Sequence, residues 1–285
     1  PPPPPDSLGA TRRRCAAYAG PMYFPYGGKH KVSFADVEVA DVTQTTPWHT
    51  RLGARKPRPP LLPFALHSVR LLPGSRFYTG QRTNAAFLRL LDADRLLYFF
   101  RKLAGLAQPR AGLQPYGGWE SQGSGLRGEF VGHYLMALSS AAAATDNATE
   151  RDDFLRRVDH IVSELGRCQD AINQGGYLSA FPQAEFALTE AGTPPGPWVP
   201  YYVMHKLLAG LLHHRRTWPS RGSAAAALAV ATKLAQHLRG RVRALVASRG
   251  EEHWDDFINQ EVGGMSEAFA DLATETADGA WLELA

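Results

Sequence analysis

Cysteine is almost missing from this chain: Cys15 and Cys168 are the whole supply in 285 residues. Two residues build no disulfide framework, and neither has the local partners of a cysteine metal site. Long apolar runs are missing as well. No stretch approaches the roughly 20 apolar residues of a transmembrane helix, so no membrane span is expected. No charge sign dominates, with 31 Lys and Arg against 27 Asp and Glu, a formal net charge of +4. The densest basic stretch, 51–58, sits among prolines, and no basic helix face with interleaved aromatics occurs. Nucleic acid is therefore not an expected partner. A leader is also not visible, but the chain opens on Pro1 to Pro5, a polyproline II tract, and not on Met. A helical pattern still runs at Trp281-Leu282-Glu283-Leu284-Ala285, so both ends read as cut and the compartment stays open.

What is present divides in two. Residues 1–60 read as an extension rich in Pro, Gly and Arg, partly disordered, with one or two short strands around Val32, Phe34, Val37, Val39 and Val42. Residues 61–285 read as helical. Apolar residues recur at helical spacing over 81–103, 152–171 and 224–246, with polar outer faces. By contrast 130–144, the first turns of 202–218, and 266–277 are apolar nearly all round, the mark of burial on most sides. The order is outer, inner, outer, inner, outer, inner, with pairs recurring every ~60–75 residues. The spacing predicts helical hairpins set in a ring, with long loops on one side. The fold class is all-α, an incomplete (α/α)6 barrel carrying the first half of its helices.

The inner segments share a design. Tyr116-Gly117-Gly118-Trp119-Glu120 leads to Gly128-Glu129-Phe130-Val131-Gly132-His133-Tyr134-Leu135. Trp198-Val199-Pro200-Tyr201-Tyr202-Val203-Met204-His205 repeats the histidine among aromatics at a helix start, and Glu261-Val262-Gly263-Gly264-Met265-Ser266-Glu267 repeats the start with carboxylates. Helix starts of this kind point to a common pocket. Aromatic faces beside hydrogen-bonding groups suit a sugar, which has C–H faces and hydroxyl edges.

Further motifs follow in a characteristic order: Leu71-Leu72-Pro73-Gly74, Gln81-Arg82-Thr83-Asn84, Gly125-Leu126-Arg127-Gly128, and Gly176-Tyr177-Leu178-Ser179-Ala180-Phe181-Pro182. Together they resemble the N-terminal half of the catalytic domain of the β-L-arabinofuranosidases, glycoside hydrolase family 127, in its plant-type branch. The resemblance runs from about residue 63 to the last residue. It implies a retaining exo-glycosidase acting on L-arabinofuranose-containing glycans or glycoproteins, with secreted or cell-wall placement. It also implies a zinc-bound cysteine thiolate as nucleophile and a glutamate as acid/base. The Glu-x-Cys and Cys-Cys motifs that carry them are not in this sequence. Zinc is thus expected in the full-length enzyme and none in this segment, which supplies no catalytic residue. Cys168 matches an outer-helix cysteine without a catalytic role. Glu129 stands where the plant-type pattern has histidine.

The candidate substrate-binding residues are His205, His133, Trp119, Tyr116, Glu120 and Glu267. Each has a plain structural reading beside the functional one. A histidine at a helix start caps loops as well as binding sugars. Tyr116 and Trp119 pack a rigid turn as readily as they stack on a ring. Glu120 caps a loop or accepts from hydroxyls, and Glu267, like Glu261, complements a helix dipole or faces the pocket. His213 and His214, late on their helix, read as surface residues. Two other functions stay open: a different six-hairpin carbohydrate-active enzyme, and a noncatalytic carbohydrate-binding or scaffold barrel.

Overall fold

The computed structural model describes residues 64–192, 199–258 and 264–285. The short strands expected before residue 60 lie outside them. A 3₁₀ turn at Leu66–Ser68 precedes ten α-helices. These are α1 (Arg76–Leu90), α2 (Ala93–Leu96), α3 (Tyr98–Leu103), α4 (Glu129–Ala144), α5 (Ala148–Ile172), α6 (Gln183–Glu190), α7 (Pro200–Thr217), α8 (Gly222–Arg249), α9 (Glu251–Ile258) and α10 (Met265–Thr276). Among the described residues there is no strand. The described residues are all-helical and form an incomplete α/α barrel.

Local chemistry sets the boundaries. Ser75, Asp92 and Asn147 cap α1, α2 and α5 by accepting from backbone N–H groups of the first turn. Pro200 opens α7 at the position where its missing N–H has no partner to lose. Asn173, at φ 48°, ends α5 in the left-handed conformation. The helix expected over 81–103 is instead three. Leu91 is extended, Asp92 caps the next turn, and the Asp92 N–H donates to the Tyr116 hydroxyl at 2.8 Å. A side-chain cap outcompetes the apolar period there. Arg101, fully buried on α3, then donates to Asp94 of α2 at 2.9 Å and to Glu164 of α5 at 2.7 Å, tying the broken segment to the outer layer.

Pairing order gives the topology. Gly132 of α4 lies against Lys206 and Gly210 of α7, while Ser139 lies against His214 and Trp218 further along both helices. So α4 and α7 run parallel. Gly264 lies against His205, and Arg215 reaches Glu275, so α10 runs parallel to α7. The outer helices are parallel too, with Asp159 opposite Arg221 and Asp170 opposite Lys233. The three inner helices therefore start on one side. Among the described residues the long connections 91–128 and 173–192 lie on that side, and the short links 145–147 and 218–221 lie on the other.

The core fills the space between the layers. Leu135, Leu138, Leu207 and Leu211 from inside meet Phe154, Val158, Ile161, Leu165, Ala231 and Leu234 from outside, all essentially inaccessible. Burial of such side chains contributes about 1.5–3 kcal/mol each before entropy is counted. Cys168, on outer helix α5, is part of this core.

Candidate functional site

The closest approach in the fold builds the site. A Cβ placed on Gly132 would lie 1.9 Å from the Lys206 carbonyl oxygen, and one on Gly210 would lie 2.5 Å from the Gly132 oxygen. Backbone meets backbone near the starts of α4 and α7. The residues beside the crossing, His133 and His205, are thereby brought to one place. Gly264, before α10, completes it: a Cβ there would stand 2.7 Å from His205 Nε2.

Between these three helix starts lies a cavity of about 300 Å³. His133, His205, Lys206 and Glu267 line it, with Arg216 and Asp271 paired further down. Three of the expected six residues thus share one cavity. Trp119, 62% exposed, stands at its approach: its ring centroid is 6.4 Å from that of Phe130, which is 6.0 Å from that of His133. The row runs from solvent to the cavity wall. Trp198 and Glu261 lie outside the described residues.

The electrostatics favour neutral imidazoles. Burial pushes His205 down to about 4, the Lys206 ammonium and His133 adding to this while the Tyr202 backbone draws weakly the other way. Burial and then Lys206 lower His133 too. Near neutral pH each ring therefore offers one donor and one acceptor, the set that a hydroxyl needs. His205 Nδ1 is buried and, apart from the weak pull of the Tyr202 backbone, has no hydrogen-bond partner. On the other side of the same ring is a small apolar void of about 50 Å³ among Tyr201, Trp254, Phe257, Met265 and Phe269.

Two expected residues serve the loop instead. Glu120 is buried, and its two carboxylate oxygens accept from the Gly128 N–H at 2.8 Å and the Phe130 N–H at 3.0 Å. It caps α4 from eight residues upstream, with one backbone N–H on each oxygen. Burial nonetheless pushes its pKa up to about 7, against the pull of those two N–H groups, with Glu129 adding to the rise. The chain turns into the cap at Gly128, φ 98°, where a Cβ would also strike Ala180. Tyr116 lies under the Arg95 guanidinium, 3.9 Å from its ring centroid, and its hydroxyl takes the Asp92 N–H. Its face is occupied by a cation–π contact.

The reading of His213 and His214 as surface residues does not hold. His214 is fully buried, hydrogen-bonded between Ser139 at 3.2 Å and Ser223 at 2.9 Å, and burial pushes it down to about 4. His213 is half-buried on Ser140 at 2.8 Å. The parallel packing of α4 and α7 covers their late turns as fully as their first. Lys206, Arg216 and Asp271 went unnoticed in the sequence. For Arg216 and Asp271 helical spacing carried the signal, since 205, 209 and 216, like 264, 267 and 271, fall on one face.

The described residues do not form the zinc–thiolate centre that the resemblance implies. Among them no three His, Cys, Asp or Glu side chains stand where they could hold an ion. The Cys168 thiol is buried and pushed up to about 12, far from a nucleophile's range. No helix among the described residues is long and apolar enough to cross a membrane.

Comparison with known families gives a match to the β-L-arabinofuranosidase, GH127 catalytic domain over residues 68–285. No curated protein matches the chain.

Proposed function

The chain belongs to the β-L-arabinofuranosidase GH127 catalytic-domain family, and on that premise we propose that it forms the sugar-gripping half of a glycoside hydrolase pocket that takes a terminal β-L-arabinofuranosyl residue. One observation carries this reading: three parallel inner helices bring His133, His205 and Glu267 to one cavity, with an exposed aromatic row at its approach. In this reading the two neutral imidazoles exchange hydrogen bonds with hydroxyls, Glu267 accepts from another, and Trp119 stacks on a C–H face. Glu120 acts through α4, holding its first turn in place. These residues bind and orient. The bond-breaking groups, a zinc-bound thiolate and a glutamate in the family pattern, would come from the Glu-x-Cys and Cys-Cys segments that this sequence lacks.

The 285 residues alone should then hydrolyse no β-L-arabinofuranoside. A chain extended by those segments should do so, with retention at the anomeric carbon. Replacing His205 by Ala in the extended chain removes a hydrogen bond from a buried partner, about 1.5–3 kcal/mol, or roughly ten- to a hundredfold in kcat/KM. Steady-state kinetics on a chromogenic β-L-arabinofuranoside reads this directly. An unchanged kcat/KM would make His205 structural, and hydrolysis by the 285 residues alone would refute the division of labour.

A further inference from the structure

A second cavity, of about 560 Å³, lies at the other end of α4 from the histidines. Its walls are α1, the last turns of α4 and the first turn of α5, and its size falls within the range of small-molecule sites. The charged groups in it are already matched. Glu150 takes Arg82 at 2.6 Å, Arg89 at 2.5 Å and the Thr145 hydroxyl at 2.7 Å, and Asp146 takes Arg70. An entering ion would have to displace one of these partners. Of the neutral groups Ser140, Thr145 and Asn147 are matched too, by His213, Glu150 and the Glu150 N–H, but those of α1 are not. The Tyr78 hydroxyl and the Asn84 amide make no hydrogen bond among the described residues, and Gln81 reaches only the Ala144 carbonyl, at 3.5 Å. Ala85, Ala137 and Ala141 add methyl groups to the same lining.

We propose that this cleft is a second saccharide-binding site, selective for neutral sugars. Charges already satisfied, unpaired amide and phenol groups on α1, and alanine methyl groups in one lining match a ring with hydroxyl edges and C–H faces. The cleft lies on the side of the inner helices away from His133 and His205, so it would hold a substrate chain or a separate glycan without entering the first cavity. The inference stands without the reading given under Proposed function, because none of its residues is shared with that site.

The test is saturation-transfer NMR on the 285-residue chain with two probes, neutral arabinotriose and anionic trigalacturonate. Wild type should transfer to arabinotriose and prefer it. The double variant Tyr78→Phe/Asn84→Ala should weaken that binding about tenfold, the loss of two neutral hydrogen bonds. His205→Ala should leave it unchanged. Ala141→Trp, which fills the cleft without removing a polar group, should abolish it, and circular dichroism of each variant checks the fold. Absence of transfer to wild type would overturn the proposal. So would equal binding by the folded cleft variants, loss on His205→Ala, or preference for trigalacturonate.

Discussion

Buried His214 and His205 make stability depend on pH, and the sign follows from their surroundings. Both are held near 4 against an ordinary value near 6.5, by burial first. Asp159 pulls His214 upward, while Arg221 and His213 push it down. Above 6.5 the folded and unfolded chains both carry neutral rings. Below it the unfolded chain takes protons that the folded one refuses, so stability is lost as pH falls from 6.5 toward 4, by on the order of 2–3 kcal/mol per ring. Glu120 works in the opposite sense. Its value is raised from 4.5 to about 7, so the cost of its buried charge is relieved as pH falls through that window. Two rings outweigh one carboxyl, and the wild-type urea midpoint should drop between pH 7 and pH 5. In His214→Gln, which keeps hydrogen-bonding groups but cannot titrate, the drop should shrink, with the remainder carried by His205 and the other buried rings, His133, His213 and His237. Equal slopes in both proteins would show that His214 does not control the titration. At this scale the sequence was only half legible. His205 could be read from its place at an apolar helix start. His214 could not, because its burial depends on Ser139 and Ser223 from elements 75 and 9 residues away.

At the scale of elements the inner and outer alternation was legible, since an all-round apolar helix has only one place to go. Observed and expected bounds agree within a few residues for α4, α5, α7, α8 and α10. The break at Leu91 was not legible, since it needs Tyr116 to receive the Asp92 N–H. The short helices α6 and α9 were also missed, inside connections that lack a repeating apolar face. The crossing of α4 and α7 gives the sharpest prediction. Gly132→Ala places a methyl group against a backbone carbonyl, which cannot rotate away, so the helices must separate. A loss of about 3 kcal/mol is expected, at the upper end for overpacking. Gly166→Ala on outer helix α5 is the control. Its Cβ would meet only Val230 Cγ2, at an ordinary 3.5 Å. Helix propensity favours Ala there by about 1 kcal/mol, so stability should hold or rise. Urea unfolding of both variants measures the contrast, and equal effects would mean that α4 and α7 are not in backbone contact.

For the whole molecule the consequence of an incomplete barrel lies at its edge. Phe64, Leu71 and Leu72 before α1, and Phe77, Phe87 and Leu90 on it, are exposed, Leu90 at 80%. Soluble monomers rarely present contiguous apolar patches beyond a few hundred Å². The same side chains on α1 would be ordinary in a chain whose further helices covered them, which is how the family's α/α barrel would use them. On its own the 285-residue chain should therefore bind a hydrophobic dye and self-associate at micromolar concentration. The triple variant Phe77→Glu/Phe87→Glu/Leu90→Lys should reduce both, while leaving the helical circular dichroism intact, because none of the three side chains belongs to the core. Sedimentation velocity separates the outcomes. A wild-type chain that sediments as a monomer and excludes the dye would show that α1 is already covered, and would count against an open-edged barrel. Association that survives the triple variant would place the sticky surface elsewhere, with the aromatic approach at Trp119 and Phe130 as the next exposed apolar surface to change.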